Sequence, residues 1–473
     1  MNTYLTVILS YFLFIILVSL FTKRIASRSA ADFLVAGRNL GLVACAVVVA
    51  SEWLGGMSTI GVSEKAFTTG TMQPVLYNIS TAAGMIIIGF TVARYYREKN
   101  VHTVSEMLEN LFGKGVRSVS AIAFLAAYIT LSYVQLQTCA SVLGPLFGIS
   151  WINAVLISSI VITAYTYVGG MHALAITGII HVGAMFLGTG IALVVGLNKI
   201  SGFESLSVRL IELGSPVNWY NPFSGGISYA LSLVVGGVLG GMAGQASIQP
   251  IFAARSIKTA RNAAVLSSLI IAPFGIMVAL LGLIAKTGFF IDAQAVVNPK
   301  MVLPMLMTTP GFIHPVLGGI ALAGILAAIL STVGPVNFAV VTIATKDIYH
   351  SLINKTAIDS KIVSTARRLV ILVNLVTVPL AIFIHGAILD AAYVSYAIRA
   401  IGAIVIMLGI YRRGWISNHG VRWAFAGGTA SVLLAVAGNK LSWFTVEETF
   451  VGVGSAVVFI IAGNLWSRFK KRA

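Results

Sequence analysis

Runs of about twenty apolar residues, the length an α-helix needs to cross the hydrocarbon core of a bilayer, recur along this chain from one end to the other. Thirteen can be placed and are numbered 0 to 12. Span 0 runs roughly from Leu5 to Phe21. Spans 1 to 5 are Leu42 to Gly61, Val75 to Ala93, Ser118 to Leu146, Trp151 to Val168 and Ala173 to Leu197. Spans 6 to 12 are Ile227 to Ser247, Ala263 to Ala285, Val316 to Val341, Leu369 to Ile384, Ile388 to Ile410, Val421 to Ala437 and Phe450 to Trp466. The expected fold is therefore an all-α integral membrane protein with about 13 transmembrane helices. Charged residues make up 10% of the chain, against roughly a quarter in a soluble domain, which is too few to solvate a globular surface. That excludes an aqueous enzyme and a disordered chain. The two cysteines, Cys45 and Cys139, fall inside apolar runs, where a thiol acts as a small hydrophobe, so a disulfide scaffold is excluded too.

A net charge of +17 raises the question of nucleic acid, which needs basic residues gathered on one folded face. Here they sit between the spans. Span 0 has no basic residue before it and is followed at once by Lys23 and Arg24, so it reads as a retained helix with the amino terminus outside. Counting loops from that start, 24 of the 31 Lys and Arg fall on the inner side, at 23–38, 94–117, 255–261, 346–368, 412–422 and 468–472. Six fall outside (Lys65, Lys199, Arg209, Lys286, Lys300 and Lys440), and Arg399 lies within a span. This asymmetry is the positive-inside rule. The charge reports topology, with a cytoplasmic carboxyl terminus and a multi-pass placement in the cell's inner (plasma) membrane, and no nucleic-acid partner is expected.

Transporters are often built from two inverted halves whose corresponding helices are interrupted by Gly or Pro, leaving unwound backbone near the midplane. Span 1 carries Gly55, Gly56 and Gly61, and span 6 carries Gly236, Gly237, Gly240, Gly241 and Gly244. Five helices separate the two starts, and an odd number inverts the second half against the first. The predicted organisation is an extra helix and inner loop at 1–41, a first repeat of helices 1–5 at 42–197, a second repeat of helices 6–10 at 227–411, and two further helices with a basic tail at 412–473. For any single glycine pair, close helix packing is the competing explanation.

Several segments then resemble one family. Gly324-Ile-Leu-Ala-Ala-Ile-Leu-Ser-Thr332 followed by Thr345-Lys-Asp-Ile-Tyr349 is similar to span 8 of the sodium/solute symporter family. Gly37-Arg-Asn-Leu-Gly41, Tyr167-Val-Gly-Gly-Met171, Gly244-Gln245 and Ala253-Ala-Arg-Ser256 resemble its entrance to span 1, its turn between spans 4 and 5, and its span 6 exit. The ordered set covers residues 30 to 350. The resemblance implies the inverted-repeat fold typified by the leucine transporter, with broken helices 1 and 6, and sodium-driven uptake of a small organic solute by alternating access, with a monomer sufficient.

Sodium prefers oxygen ligands, which carbonyls freed by a helix break and nearby hydroxyls can supply without a carboxylate. The family's sodium ion (Na+) site falls by alignment on the Ser51 and Leu54 carbonyls of span 1, the Ala328 carbonyl, and the Ser331 and Thr332 hydroxyls of span 8. The last three are spaced to share one helix face. Read without the family, a Ser-Thr pair in a membrane helix bonds its own preceding turn. Where many members carry Thr-Asp for a second sodium, this chain reads Thr177-Gly178, and Gly334 and Pro335 offer no side-chain oxygen at the matching span 8 positions. One sodium ion is expected.

Ionisable groups inside a membrane are costly and usually paired or functional. Glu52 lies near the centre of span 1 and Arg399 near the centre of span 10, adjacent helices in the implied fold, so the two are expected within reach of each other. They can be a fixed pair, or Arg399 can receive a solute carboxylate, or Glu52 can carry a proton. Trp53, Ser58, Gln73, Gln245 and Asn337 are the further candidates for solute contact. His181 and Tyr393 are read as structural. No metal-ligand spacing, nucleophile elbow or phosphate loop is present in the sequence, so no catalysis is expected. The leading reading is a sodium-coupled carrier of a carboxylate-bearing or amino-acid-like solute. The alternatives are a proton-coupled carrier using Glu52, or a solute sensor on the same helices, for which the few residues after Ser467 are expected to leave no output module.

Overall fold

Lipid offers no partner for backbone N–H and C=O groups, so a chain this apolar must satisfy them within each crossing segment. The structure, a computed structural model, describes residues 3–22, 30–384 and 386–472, and among these no strand forms. Lys23 and Arg24, on which the placement of the amino terminus rests, lie outside the described residues. Among the described residues ten helices are long and apolar enough to cross a membrane, and three shorter apolar helices, Thr3–Val18, Leu42–Ser51 and Trp151–Ala164, occupy the places of spans 0, 1 and 4.

Span 8, helix Pro315–Ile343, is the central post: every residue but one from Gly318 to Ile343 is buried. Span 5 crosses it at backbone contact. A Cβ added at Gly188 would lie 2.7 Å from the Ile320 carbonyl oxygen, and one at Gly324 would lie 2.7 Å from that of Ala184. Small residues at such crossings are how membrane helices gain close packing. Lipid-facing apolar side chains collect on the peripheral helices, as at Leu372, Leu375 and Phe383 of span 9.

The segments bearing most of the basic residues meet at one end. Arg38 donates to the carbonyls of Asn100 (2.6 Å) and Phe252 (3.3 Å), Arg97 to that of Ala254 (2.5 Å), and Asn418 to that of Phe112 (2.9 Å). A short bridge, Leu40 N–H to Ala253 O and Arg255 N–H to Leu40 O, both 3.0 Å, ties the entrance of span 1 to the exit of span 6. At the far end, Met72 N–H reaches the Trp219 carbonyl (2.8 Å), Lys286 the Phe67 carbonyl (3.0 Å), and Lys65 pairs with Asp390 (2.9 Å). Each of these contacts joins segments that the charge count had placed on one side.

One expectation is refined and one corrected. The turn between spans 4 and 5 lies within a single helical element, Trp151–Lys199, which continues for 49 residues through Tyr167–Met171. Straight, it would run about 73 Å. Yet its start follows directly on the end of span 3, its last residue Lys199 bonds the Gly311 carbonyl at the far end, and Tyr167 lies under Arg367 at 5.9 Å. The chain therefore reverses inside the helical element. A Gly-Gly pair is compatible with either a turn or a helix, so the sequence alone does not decide. In span 6 the break is at Ala243 and Gly244, between helices Ile227–Met242 and Gln245–Ala253. Gly236, Gly237, Gly240 and Gly241 stay helical, and a Cβ at each would press on Tyr393, Ser80, Tyr396 or Met85, so four of the five glycines serve packing.

Candidate functional site

Helix Leu42–Ser51 ends where glycines allow two neighbours to press on the backbone. A Cβ at Gly55 would lie 2.2 Å from Thr332 Oγ1 of span 8, and one at Gly56 would lie 2.2 Å from Thr138 Oγ1 of span 3. The ladder stops with Leu54 N–H on the Ala50 carbonyl (3.2 Å) and restarts with Thr59 N–H on that of Gly55 (3.0 Å). The carbonyls of Ser51 to Leu54 are thereby released from the regular helix. Side chains serve the freed groups. The Thr332 hydroxyl donates to the Ser51 carbonyl, the Ser58 hydroxyl and Tyr77 OH donate to that of Trp53, and Gly56 N–H donates to Gln135 Oε1 (3.2 Å).

On span 8 the Ser331 hydroxyl donates to the Ala328 carbonyl at 2.8 Å, the back-bond expected of a hydroxyl in a helix. Ser51 and Thr332 are thus joined directly, Ala328 and Ser331 are joined within one turn, Leu54 lies in the break, and all five are buried. A hydroxyl that now donates to a carbonyl can turn so that both oxygens face a cation; at this crossing the Ser51 carbonyl and the Thr332 hydroxyl form one such pair, and the Ala328 carbonyl and Ser331 hydroxyl form another within one turn on span 8. Among the described residues no three His, Cys, Asp or Glu side chains converge, so a cation here would be held by carbonyls and hydroxyls. A Cβ added at Gly178 would lie 3.1 Å from Val47 Cγ1 and 3.5 Å from Ser51 Oγ. The position where an acid was missing therefore borders this same crossing.

Glu52 and Arg399 meet directly, as expected: Arg399 Nη1 to Glu52 Oε1 is 2.8 Å, with both side chains buried. Tyr128 OH donates to the same Oε1 (3.0 Å) and accepts Ala246 N–H (2.9 Å), the start of the second half of span 6. The guanidinium carbon sits 5.0 Å from the Trp53 ring centre and 5.2 Å from those of Tyr128 and Tyr396, within the range where an aromatic face attracts a cation. A Cβ at Gly244 would fall 1.8 Å from Arg399 Nη2, so the span 6 break is where the guanidinium finds room. Glu52 Oε2, Arg399 Nε and Nη2, and Trp53 Nε1 have no hydrogen-bond partner among the described residues.

The other candidates are dispersed. Ser58 lies in the span 1 break and accepts Asn78 Nδ2 (2.8 Å), while Asn337 is buried on span 8 beyond Thr332. Gln73 is at the far end, donating to the Gly226 carbonyl (2.9 Å). Gln245 follows the span 6 break, but its side chain turns to the basic end, accepting Val104 N–H (2.8 Å) and donating to the His102 carbonyl (3.0 Å). Gln73 and Gln245 thus do not join the ion pair. Tyr393 donates to the Leu233 carbonyl (2.9 Å), and His181 meets Tyr11.

Sequence reasoning missed Tyr77, Tyr128, Gln135, Thr138 and Tyr396. Tyr77 and Tyr396 share a hydroxyl contact of 3.0 Å, and their rings stack at 17°. The signal was available: each is a polar group in an apolar helix, and the rule that flags intramembrane charges extends to amides and phenols.

With this geometry in place, comparison with known proteins is informative. The family model described as sodium:solute symporter family matches residues 33–428. The sodium/pantothenate symporter of Haemophilus influenzae is 25% identical, covering 94% of this chain and 92% of its own. The osmoregulated proline transporter OpuE of Bacillus subtilis is 24% identical, covering 93% and 90%. A solved structure of a Na+-coupled sialic acid symporter in a substrate-bound, outward-open state superposes with a TM-score of 0.82 at 18% identity, covering 99% of this chain and 98% of that one. The fold is that of the leucine-transporter type, and the chain belongs to the sodium:solute symporter family, whose members are membrane transporters and not enzymes.

Proposed function

We propose that this protein couples the inward movement of one sodium ion to uptake of a small, carboxylate-bearing organic solute by alternating access. The observation that carries the reading is the crossing of span 1 with span 8, where the Thr332 hydroxyl meets the Ser51 carbonyl at the broken turn that also contains Leu54, and the Ala328–Ser331 pair lies within one turn of Thr332 on span 8. Sodium is a co-transported substrate here and binds through oxygens already present. The single-ion stoichiometry is supported by Gly178, Gly334 and Pro335, which supply no side-chain oxygen beside it. Relatives named for proline, pantothenate and sialic acid, all carboxylate-bearing, support an acidic group on the solute. Arg399 is the residue to receive it, with Trp53, Ser58 and Asn337 nearer the solute path than Gln73 or Gln245. The halves 42–197 and 227–411 move against each other, and the basic end faces the cytoplasm in the membrane that encloses the cell.

A proton carried by Glu52 is the alternative coupling; the carbonyl and hydroxyl oxygens at the crossing of spans 1 and 8, which a proton on Glu52 would not use, favour sodium. The test is uptake into proteoliposomes with and without a sodium gradient, across a panel of monocarboxylates, amino acids and sugars. Sodium-driven uptake with a Hill coefficient near one, and about a tenfold rise in the sodium needed for half-maximal rate in Thr332→Ala, are expected. Uptake indifferent to sodium and to that substitution would sink the reading.

A further inference from the structure

The ion pair at the two helix breaks has features that a fixed strut would not need. It is made through one oxygen and one nitrogen, and Glu52 Oε2, Arg399 Nε and Arg399 Nη2 are left without partners among the described residues. A buried charged pair kept to join two helices is expected to be bidentate and fully satisfied, because each unsatisfied atom is costly in a low dielectric. The two groups also stand at different functional places. Glu52 lies in the broken segment between Ser51 and Leu54, the residues whose carbonyls are proposed to hold sodium. Arg399 stands against Gly244 at the other break, enclosed by Trp53, Tyr128 and Tyr396. Those three ring faces give the guanidinium an environment that does not depend on Glu52.

Charge conservation then decides what the pair can do. The site is neutral as it stands. Sodium alone adds a positive charge to a water-poor interior, and so does sodium with a sugar or a zwitterion, whereas sodium with a monoanion adds none. We propose that the Glu52–Arg399 pair is the coupling element: sodium replaces Arg399 as the counter-charge of Glu52, and the freed Arg399 takes the single carboxylate of a monoanionic solute. This rests on the sodium reading above and sharpens it. Each cargo removes the cost of binding the other, so solute without sodium would face a guanidinium still held by Glu52, and sodium without solute would leave that guanidinium unpaired. One sodium with one monoanion makes the transport cycle electroneutral.

Sodium-22 equilibrium binding to the purified full-length protein, with potassium as the replacing ion and no solute, tests the exchange. Arg399→Gln removes the competing cation and is expected to bind sodium about tenfold more tightly than the parent. Glu52→Gln is expected to bind it about tenfold more weakly, and Glu52→Asp, which keeps the charge, to stay close to the parent. Parent binding that is lost in Ser331→Ala yet unmoved by Glu52→Gln and Arg399→Gln would overturn the exchange and spare the sodium site. No saturable binding in the parent would overturn the sodium reading itself, and the exchange with it. The unmodified protein supplies a second measurement. Whichever member of the uptake panel is carried should be a monoanion, and its sodium-driven uptake should be unchanged by an inside-negative potassium diffusion potential. A neutral or zwitterionic solute, or acceleration by the potential, would overturn the proposal.

Discussion

Spans 1 and 6 are both broken near mid-length, but they break in different ways. Span 1 gives up its ladder over several residues; the released carbonyls are met by hydroxyls from spans 2 and 8, and the freed Gly56 N–H by the Gln135 side-chain oxygen of span 3. Span 6 breaks in a single step: Gly244 N–H still reaches the Gly241 carbonyl (3.3 Å), and Ile248 N–H bonds the Gly244 carbonyl (2.9 Å). A long break creates oxygen donors and needs outside hydroxyls and amides to stabilise it. A one-step break only redirects the helix and opens a notch, which the Arg399 guanidinium fills. On the proposed reading the ion-binding chemistry belongs to span 1, while span 6 is the wall against which the arginine is placed.

The sharpest way to break that distinction is Gly55→Val. Its Cβ would meet Thr332 Oγ1 at 2.2 Å, and overpacking of this kind costs about 1–3 kcal/mol. Sodium-driven uptake per inserted protein should fall by up to about a hundredfold, through loss of sodium affinity. Next is Gly244→Ala, where the 1.8 Å approach to Arg399 Nη2 should displace the guanidinium and lower solute uptake about tenfold while leaving the sodium requirement of any residual uptake within about threefold. An equal change in both quantities would erase the difference between the breaks.

Gly240→Ala should do less. That glycine is helical, and its Cβ would touch Tyr396 Cβ at 3.0 Å, so the expected result is a thermal destabilisation of about 1 kcal/mol with sodium dependence unchanged. The smallest effect is expected away from both breaks. Burial alone would raise the Glu106 carboxyl, but the His102 ring 3.7 Å away, the His102 backbone N–H at 2.9 Å and the charge of Arg117 outweigh it and hold the group down to about 2. Its stabilisation is present above the ordinary carboxylate range and is lost as pH falls from about 4.5 toward 2. Glu106→Gln should lower the unfolding temperature at pH 7 by about 1–2 °C, with the difference from the parent shrinking through that acid window.

Much of this was legible in the chain itself, for identifiable reasons. A bilayer imposes one length on every crossing, so the spans could be read from apolar runs, and the basic loops could be sorted to one end of the bundle. The Glu52–Arg399 meeting could be read because two lone charges at one depth have little choice of partner. What failed depends on how neighbouring helices approach. Gly169 and Gly170 carry no mark that tells a linker from a reversal inside a helix. The glycines of span 6 look alike in sequence, yet four pack and one breaks, because only the facing side chain distinguishes them. Gln245 stands beside the break in sequence, but the unpaired Val104 N–H and His102 carbonyl at the basic end claim its amide.

Trp53 is fully buried, and its indole lies 5.0 Å from a guanidinium that is proposed to change partners in every cycle. An indole's emission responds to the charge at its face, so the same contact that steadies Arg399 also makes the protein optically self-reporting. The chain has seven tryptophans, and several of the others, including Trp415, Trp443 and Trp466, are exposed on the periphery. The emission lost on replacing Trp53 with Phe would therefore isolate the colour of one ring at the centre of the membrane, a signal that follows the arginine without any attached dye.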